Sequence, residues 1–224
     1  MRKIIISMFS CLVLVVFSFN TVYGQNNLLP KYGPAQKNEA QLAADKEFLT
    51  AIDKQFNGDR TKAAEFTAMQ GWQLLRKGYL PMAMRRFNQA WLLDNKNGTA
   101  LWGMASIQSN LGEMKESLQL FSEAELYISN DIDFAVDHAR AIGFTALATK
   151  DEALLKDAFN RYQQLYKKEP QHILNLQNWA IVLYLIGDYA KAWEKIKLAE
   201  AAPRANELDK KFITDLQSKM PRPK

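Results

Sequence analysis

Cysteine occurs once in 224 residues, at Cys11, and histidine only twice, at His138 and His172. One thiol cannot close a disulfide, and so few soft ligands leave no cysteine–histidine zinc site to build. The chain also lacks an HExxH pair, a GxSxG elbow and a glycine-rich phosphate loop. The common metalloprotease, acyl-transfer and nucleotide-binding signatures are therefore missing. Nowhere do apolar and polar residues alternate long enough to specify a strand, so the expected fold class is all-α.

The one long apolar run, Ile4 to Phe19, follows Arg2 and Lys3 and precedes the turn-prone stretch Asn20 to Gly24. Those three regions in that order read as a secretory signal, with Val22 and Gly24 at positions −3 and −1 of a cleavage site. An uncleaved membrane anchor is the alternative, but sixteen residues fall short of the ~20 that a spanning helix needs. Cleavage would leave residues 25–224, a periplasmic or secreted protein with no cysteine and no stable membrane insertion. Loss of Arg2 and Lys3 leaves 27 of the 29 basic residues against 24 acidic ones, a net charge of +3. The signs are mixed along the chain, as on solvated helix faces, and no basic stripe suggests nucleic acid as a partner.

Pro30, Gly33 and Pro34 lie among polar residues and mark 25–36 as an extended, mobile leader. Leu42, Phe48, Leu49, Ile52 and Phe56 then share one face of a helix within 37–63, which Asn57-Gly58 ends and Asp59 restarts as an N-cap. Beyond it the chain repeats. Ala83, Ser117, Ala158 and Ala192 are spaced by 34, 41 and 34 residues, as are Phe87, Phe121, Tyr162 and Ile196, and again Ala90, Ala124, Leu165 and Ala199. Three columns with one uneven spacing define four repeats, at about 64–97, 98–131, 132–170 and 171–204. Gly78, Gly112 and Gly187 close the first helix of repeats one, two and four. Repeat three lacks that glycine and carries seven extra residues, about two helical turns, near Thr149 to Ala153, before Pro170 closes it. An amphipathic segment at 205–219, with Leu208, Phe212, Ile213 and Leu216 on one side, would cap the array, and 220–224 form a tail.

With Gly71, Gly78, Ala83, Phe87, Ala90, Leu93 and Asp94 in register, the first repeat resembles the 34-residue tetratricopeptide repeat (TPR). The resemblance implies a solenoid of antiparallel helix pairs, flanked by an N-terminal helix and the C-terminal cap. Small residues at the first and third columns would let paired helices approach, while the large residue would fill the wedge between repeats. It also implies a concave wall of first helices that binds a protein or peptide. On that wall the family positions fall at Glu65, Trp72, Leu75 and Arg76, then at Trp102, Ser106 and Asn110. Arg140 and Phe144 follow in repeat three, and Gln177, Ile181 and Tyr184 in repeat four. Tryptophan, tyrosine and arginine dominate interface hot spots, but Trp72 and Trp102 could equally belong to the core. The carboxylate clamp of chaperone-binding TPR proteins is missing, because Ala68 and Trp72 stand at its first-repeat positions.

The expected role is that of an exported scaffold or assembly factor. A lipid- or small-molecule-binding module using the same aromatic wall is the alternative. Catalysis has no nucleophile, oriented base or metal in its support, and no cofactor is implied. Asp131, Asp133 and Asp137 lack the glycine and carboxylate of a calcium loop, since Val136 and Ile142 occupy those places. Helix capping by Asn130, Asp131 or Asp133 is the expected role of this stretch. The sequon Asn97-Gly98-Thr99 falls at a repeat junction.

Overall fold

The computed structural model describes residues 26–223; the segment 1–24, expected to be a signal, lies outside them. Ten α-helices follow in order among the described residues, with no strand. A flanking helix α1 (Glu39–Gln55) precedes four pairs: α2 (Arg60–Arg76) with α3 (Leu80–Leu93), α4 (Gly98–Leu111) with α5 (Met114–Ile128), α6 (Ile132–Thr149) with α7 (Glu152–Lys168), and α8 (Ile173–Leu185) with α9 (Tyr189–Glu200). The final helix is α10 (Lys210–Lys219). The first pair begins at Arg60, four residues ahead of the repeat boundary expected at 64.

Polar caps punctuate the chain. Asp59, Asn97, Asp131, Asp151, His172, Asp188 and Asp209 each accept a backbone N–H from the first turn of the helix that follows. Each such cap is worth about 1 kcal/mol. Asn97 is buried in this role, with its Oδ1 2.8 Å from the Ala100 nitrogen, so the sequon asparagine is a structural cap. Gly78, Gly112 and Gly187 turn at φ +78°, +84° and +85°. In repeat three Lys150 takes the same left-handed position at φ 57°. The extra residues of that repeat lengthen both helices, to 18 and 17 residues against 14 and 15 in repeat two.

The three repeat columns are the core. Every member of the large column, Phe87, Phe121, Tyr162 and Ile196, is fully buried, and the small columns are buried throughout. Phe87 shows why size matters at the wedge. A Cβ added to Gly71 would lie 2.6 Å from its ring, and one added to Gly103 only 2.1 Å from it. The glycines on α2 and α4 thus leave the space that one phenylalanine fills between the first two repeats. At Ser117 the hydroxyl donates to the Ala105 carbonyl at 2.9 Å, so a polar side chain fits a column of alanines.

First helices of successive repeats pack on one another, α2 on α4, α4 on α6 and α6 on α8, while no comparable packing joins successive second helices. Repeats that approach on one layer and diverge on the other curve the array, with the first helices on its inner wall. Two polar straps span the diverging outer layer. Arg161 on α7 reaches Glu125 on α5 at 2.8 Å, and Lys31 of the leader pairs with Glu123 on α5. The leader is therefore not the extended, mobile segment expected from its prolines. Residues 26–28 and 30–32 form short 3-10 turns against α3, and Pro30 is buried. Pro30 is docked and buried, where the composition alone suggested a loose chain.

The two ends differ in how firmly they are held. α10 buries Phe212 and Leu216 against α9, and Trp193 donates from Nε1 to the Met220 carbonyl at 3.0 Å. It is the apolar cap that the sequence implied. α1 has no buried residue; its Phe48, Leu49 and Ile52, with Phe56 just beyond its end, pack against Ala63 and Ala64 of α2 and Leu93 of α3.

Candidate functional site

The inner wall is assembled from one face of each first helix. On α2 that face carries Glu65, Trp72 and Arg76, spaced by seven and four residues, and Met69 lies between them. Glu65 and Arg76 are exposed, and Met69 is 59% exposed. Leu75 turns inward against the first core cluster.

Trp72 and Trp102 are half-buried and meet each other, ring centroids 4.5 Å apart at 59°. They belong to an aromatic row that runs from Phe87 (5.8 Å from Trp72) through both indoles to Phe134 (5.9 Å from Trp102). Both indole N–H groups are satisfied internally. Trp72 donates to the Thr99 carbonyl at 3.1 Å, and Trp102 donates to Asp137 Oδ2 at 3.0 Å. Groove and core are thus not exclusive here. One part of each ring seals the repeat junction, and the remainder is presented on the wall.

Asp137 joins the site from α6, on the same face as Arg140 and Phe144. Burial pushes its carboxyl above the usual range. Arg140, 3.7 Å from Oδ1, and the Trp102 N–H act in the opposite sense without overcoming it. The wall therefore holds a poorly hydrated carboxylate whose Oδ1 has only a loose partner. Asp137 and Met69 escaped the sequence reading, which considered the aspartate only as part of a cation cluster and set that aside. The available signal was positional: Asp137 stands three residues before Arg140 and seven before Phe144, and Met69 three before Trp72. The other two acids of the cluster have separate duties. Asp131 caps α6, and Asp133 lies 3.0 Å from His172 Nε2.

Not every expected position reaches the surface. Asn110 is exposed, and Arg140 and Phe144 are half-buried. Ser106 is buried at 5% exposure beneath the wall and cannot line it. In repeat four the face is occupied by the C-terminal segment. Gln177 Oε1 accepts the Asp209 N–H at 2.7 Å. Tyr184 packs against Tyr189 at 5.5 Å and edge-on against Phe212 of α10 at 5.6 Å. Ile181 is half-buried against the same cluster. The open part of the wall is accordingly its N-terminal portion on α2, α4 and α6.

No protein-family model matches this chain, and no curated protein does. Among solved structures it is similar to TTC0263, a thermophilic TPR protein of Thermus thermophilus. The TM-score is 0.63 at 18% identity, over 71% of this chain and 84% of that one. The chain thus has a TPR-like, all-α helical-repeat fold. No helix among the described residues is long and apolar enough to cross a membrane.

Proposed function

We propose that this protein is an exported scaffold or assembly factor, periplasmic or secreted, that holds a protein or peptide along the N-terminal part of its inner wall. One observation carries the proposal: Met69, Trp72, Trp102, Asp137 and Arg140 gather apolar, aromatic and charged groups on adjoining first helices. Such a mixture supports binding because large, stiff aromatics give contact area at small entropic cost, while fixed charges give register. The lipid- or small-molecule alternative gains nothing from two clefts of the surface. These, of about 620 and 580 Å³, lie between α5 and α6 and at the α7–α8 turn, away from the aromatic row. Export is supported by the charged, apolar and small-residue order of residues 1–24.

Photo-crosslinking in intact cells tests the assignment. A crosslinking residue at Asn110 should form an adduct with one defined partner, and the same residue at exposed Lys197 on α9 should not. Equal labelling from both positions would remove the inner wall as the interaction surface. Intact mass after fractionation should show a chain beginning at Gln25 in the periplasm or medium, and retention of Met1 to Gly24 in a membrane fraction would remove export by cleavage.

A further inference from the structure

The outer layer carries a second arrangement, independent of the inner wall. Asn88 on α3 is fully buried beneath the leader, and its Nδ2 donates to the Leu29 carbonyl at 2.8 Å and to the Asn27 carbonyl at 3.2 Å. A side-chain amide that binds main-chain carbonyls reads peptide backbone without reading sequence. Pro30 is buried beside this contact, and Lys31 reaches Glu123 on α5, so the leader lies over α3 as a peptide ligand lies on a receptor.

The fit is incomplete in two ways. Asn88 Oδ1 is buried with no hydrogen-bond partner, as is Trp91 Nε1 one helical turn further along α3. The leader also bends away through three consecutive residues of positive φ, Lys31 at 53°, Tyr32 at 66° and Gly33 at 69°. Two of the three are not glycine, so the turn holds the segment in a conformation L-residues disfavour. An extended peptide supplies an N–H and a carbonyl in alternation, and could satisfy both ends of the Asn88 amide without that turn.

The geometry points to the outer face of α3 around Asn88 as a second peptide-binding site, occupied in the resting chain by its own leader as an exchangeable plug. Its ligand class is an extended segment in which a proline is followed by lysine or arginine. The proline fits the buried position, the basic residue pairs with Glu123, and the main chain engages Asn88. A ligand in trans must displace the leader, so affinity is reduced by the fraction of time that the plug is seated.

The test uses the full chain and a fluorescein-labelled peptide spanning Asn26–Gly33. Pro30→Asp with Lys31→Glu disables the leader in cis. The peptide should bind this variant saturably and at least tenfold tighter than it binds the unaltered chain, and adding Asn88→Leu should abolish binding. Equal affinity for the two chains, or binding that survives Asn88→Leu, would overturn the proposal. If the leader-disabled chain loses its helical circular dichroism, the segment is an integral brace and the proposal also fails. Hydrogen exchange on the unaltered chain gives an independent reading. The Tyr32 and Gly33 amides should exchange at least tenfold faster than those at the centre of α3, and equal protection would contradict an exchangeable plug.

Discussion

Trp102 on α4 and Tyr184 on α8 both project from the inner face of a first helix, yet they do different work. Trp102 is wedged between Trp72 and Phe134, gives its N–H to Asp137 and keeps part of its ring on the wall. Tyr184 is held by Tyr189 and by Phe212 of α10, while its neighbour Gln177 accepts the Asp209 N–H. Gln177 is the repeat-four equivalent of Trp102, both ten residues before the closing glycine, so one repeat position stays on the open wall or becomes a structural contact according to what stacks next to it. Among the described residues the N-terminal part of the wall carries no such contact, whereas Gln177 and Tyr184 are each engaged by the C-terminal segment.

The strongest way to sharpen this contrast is at the wedge behind Trp72. Phe87→Ala should destabilise the chain by about 3–5 kcal/mol, because it empties a fully buried site between Gly71 and Gly103. Chemical denaturation should show the loss. A change below about 1 kcal/mol would mean that the repeat junction can collapse around the cavity.

The cap offers the matching test at the other end. Leu216→Ala removes a fully buried side chain from α10 and should cost about 2–4 kcal/mol. Partner binding at the N-terminal wall, measured well below the melting temperature, should be unchanged. A parallel loss of affinity would show that the covered and open parts of the wall act as one surface.

Acid should also weaken the middle of the array. His138 is stacked on Phe121 at 5.2 Å, beside Glu125 and Arg161, and burial, reinforced by the Arg161 charge, lowers its pKa from 6.5 to about 4. The unfolded chain takes up that proton first, so the stability linked to neutral His138 is complete above pH 6.5 and is lost as the pH falls toward 4. The loss should be on the order of 2–3 kcal/mol. It should largely vanish in His138→Gln, and an identical pH profile for that variant would assign the effect to other groups.

Much of this architecture was legible because close packing restricts residue type at fixed intervals. The three columns from Ala83, Phe87 and Ala90 onward predicted which residues are buried, and they are. The seven extra residues of repeat three signalled longer helices, though not that Lys150 would adopt the left-handed turn. The candidate site was less legible, for a physical reason. Helical periodicity tells which side chains share a face but not what covers that face, so Gln177 and Tyr184 read as groove residues before α10 was placed over them. Ser106 is hidden for the same reason. Asn88 drew no attention in the sequence, because nothing local to α3 reveals that a segment some 60 residues away docks on it.

Whether the open part of the wall is a binding surface as well as a seam is tested most directly by Trp102→Ala. Melting temperature and affinity for the crosslinked partner should be measured on Trp102→Ala and Phe87→Ala together. Trp102 is only partly buried, so its loss should cost about 1–2 kcal/mol of stability, well below Phe87→Ala. Affinity should fall at least thirtyfold, the equivalent of ~2 kcal/mol for an interface hot spot. If Trp102→Ala lowers the melting temperature as far as Phe87→Ala while a folded sample binds the partner as tightly as the unaltered chain, Trp102 is core and the inner-wall account is wrong.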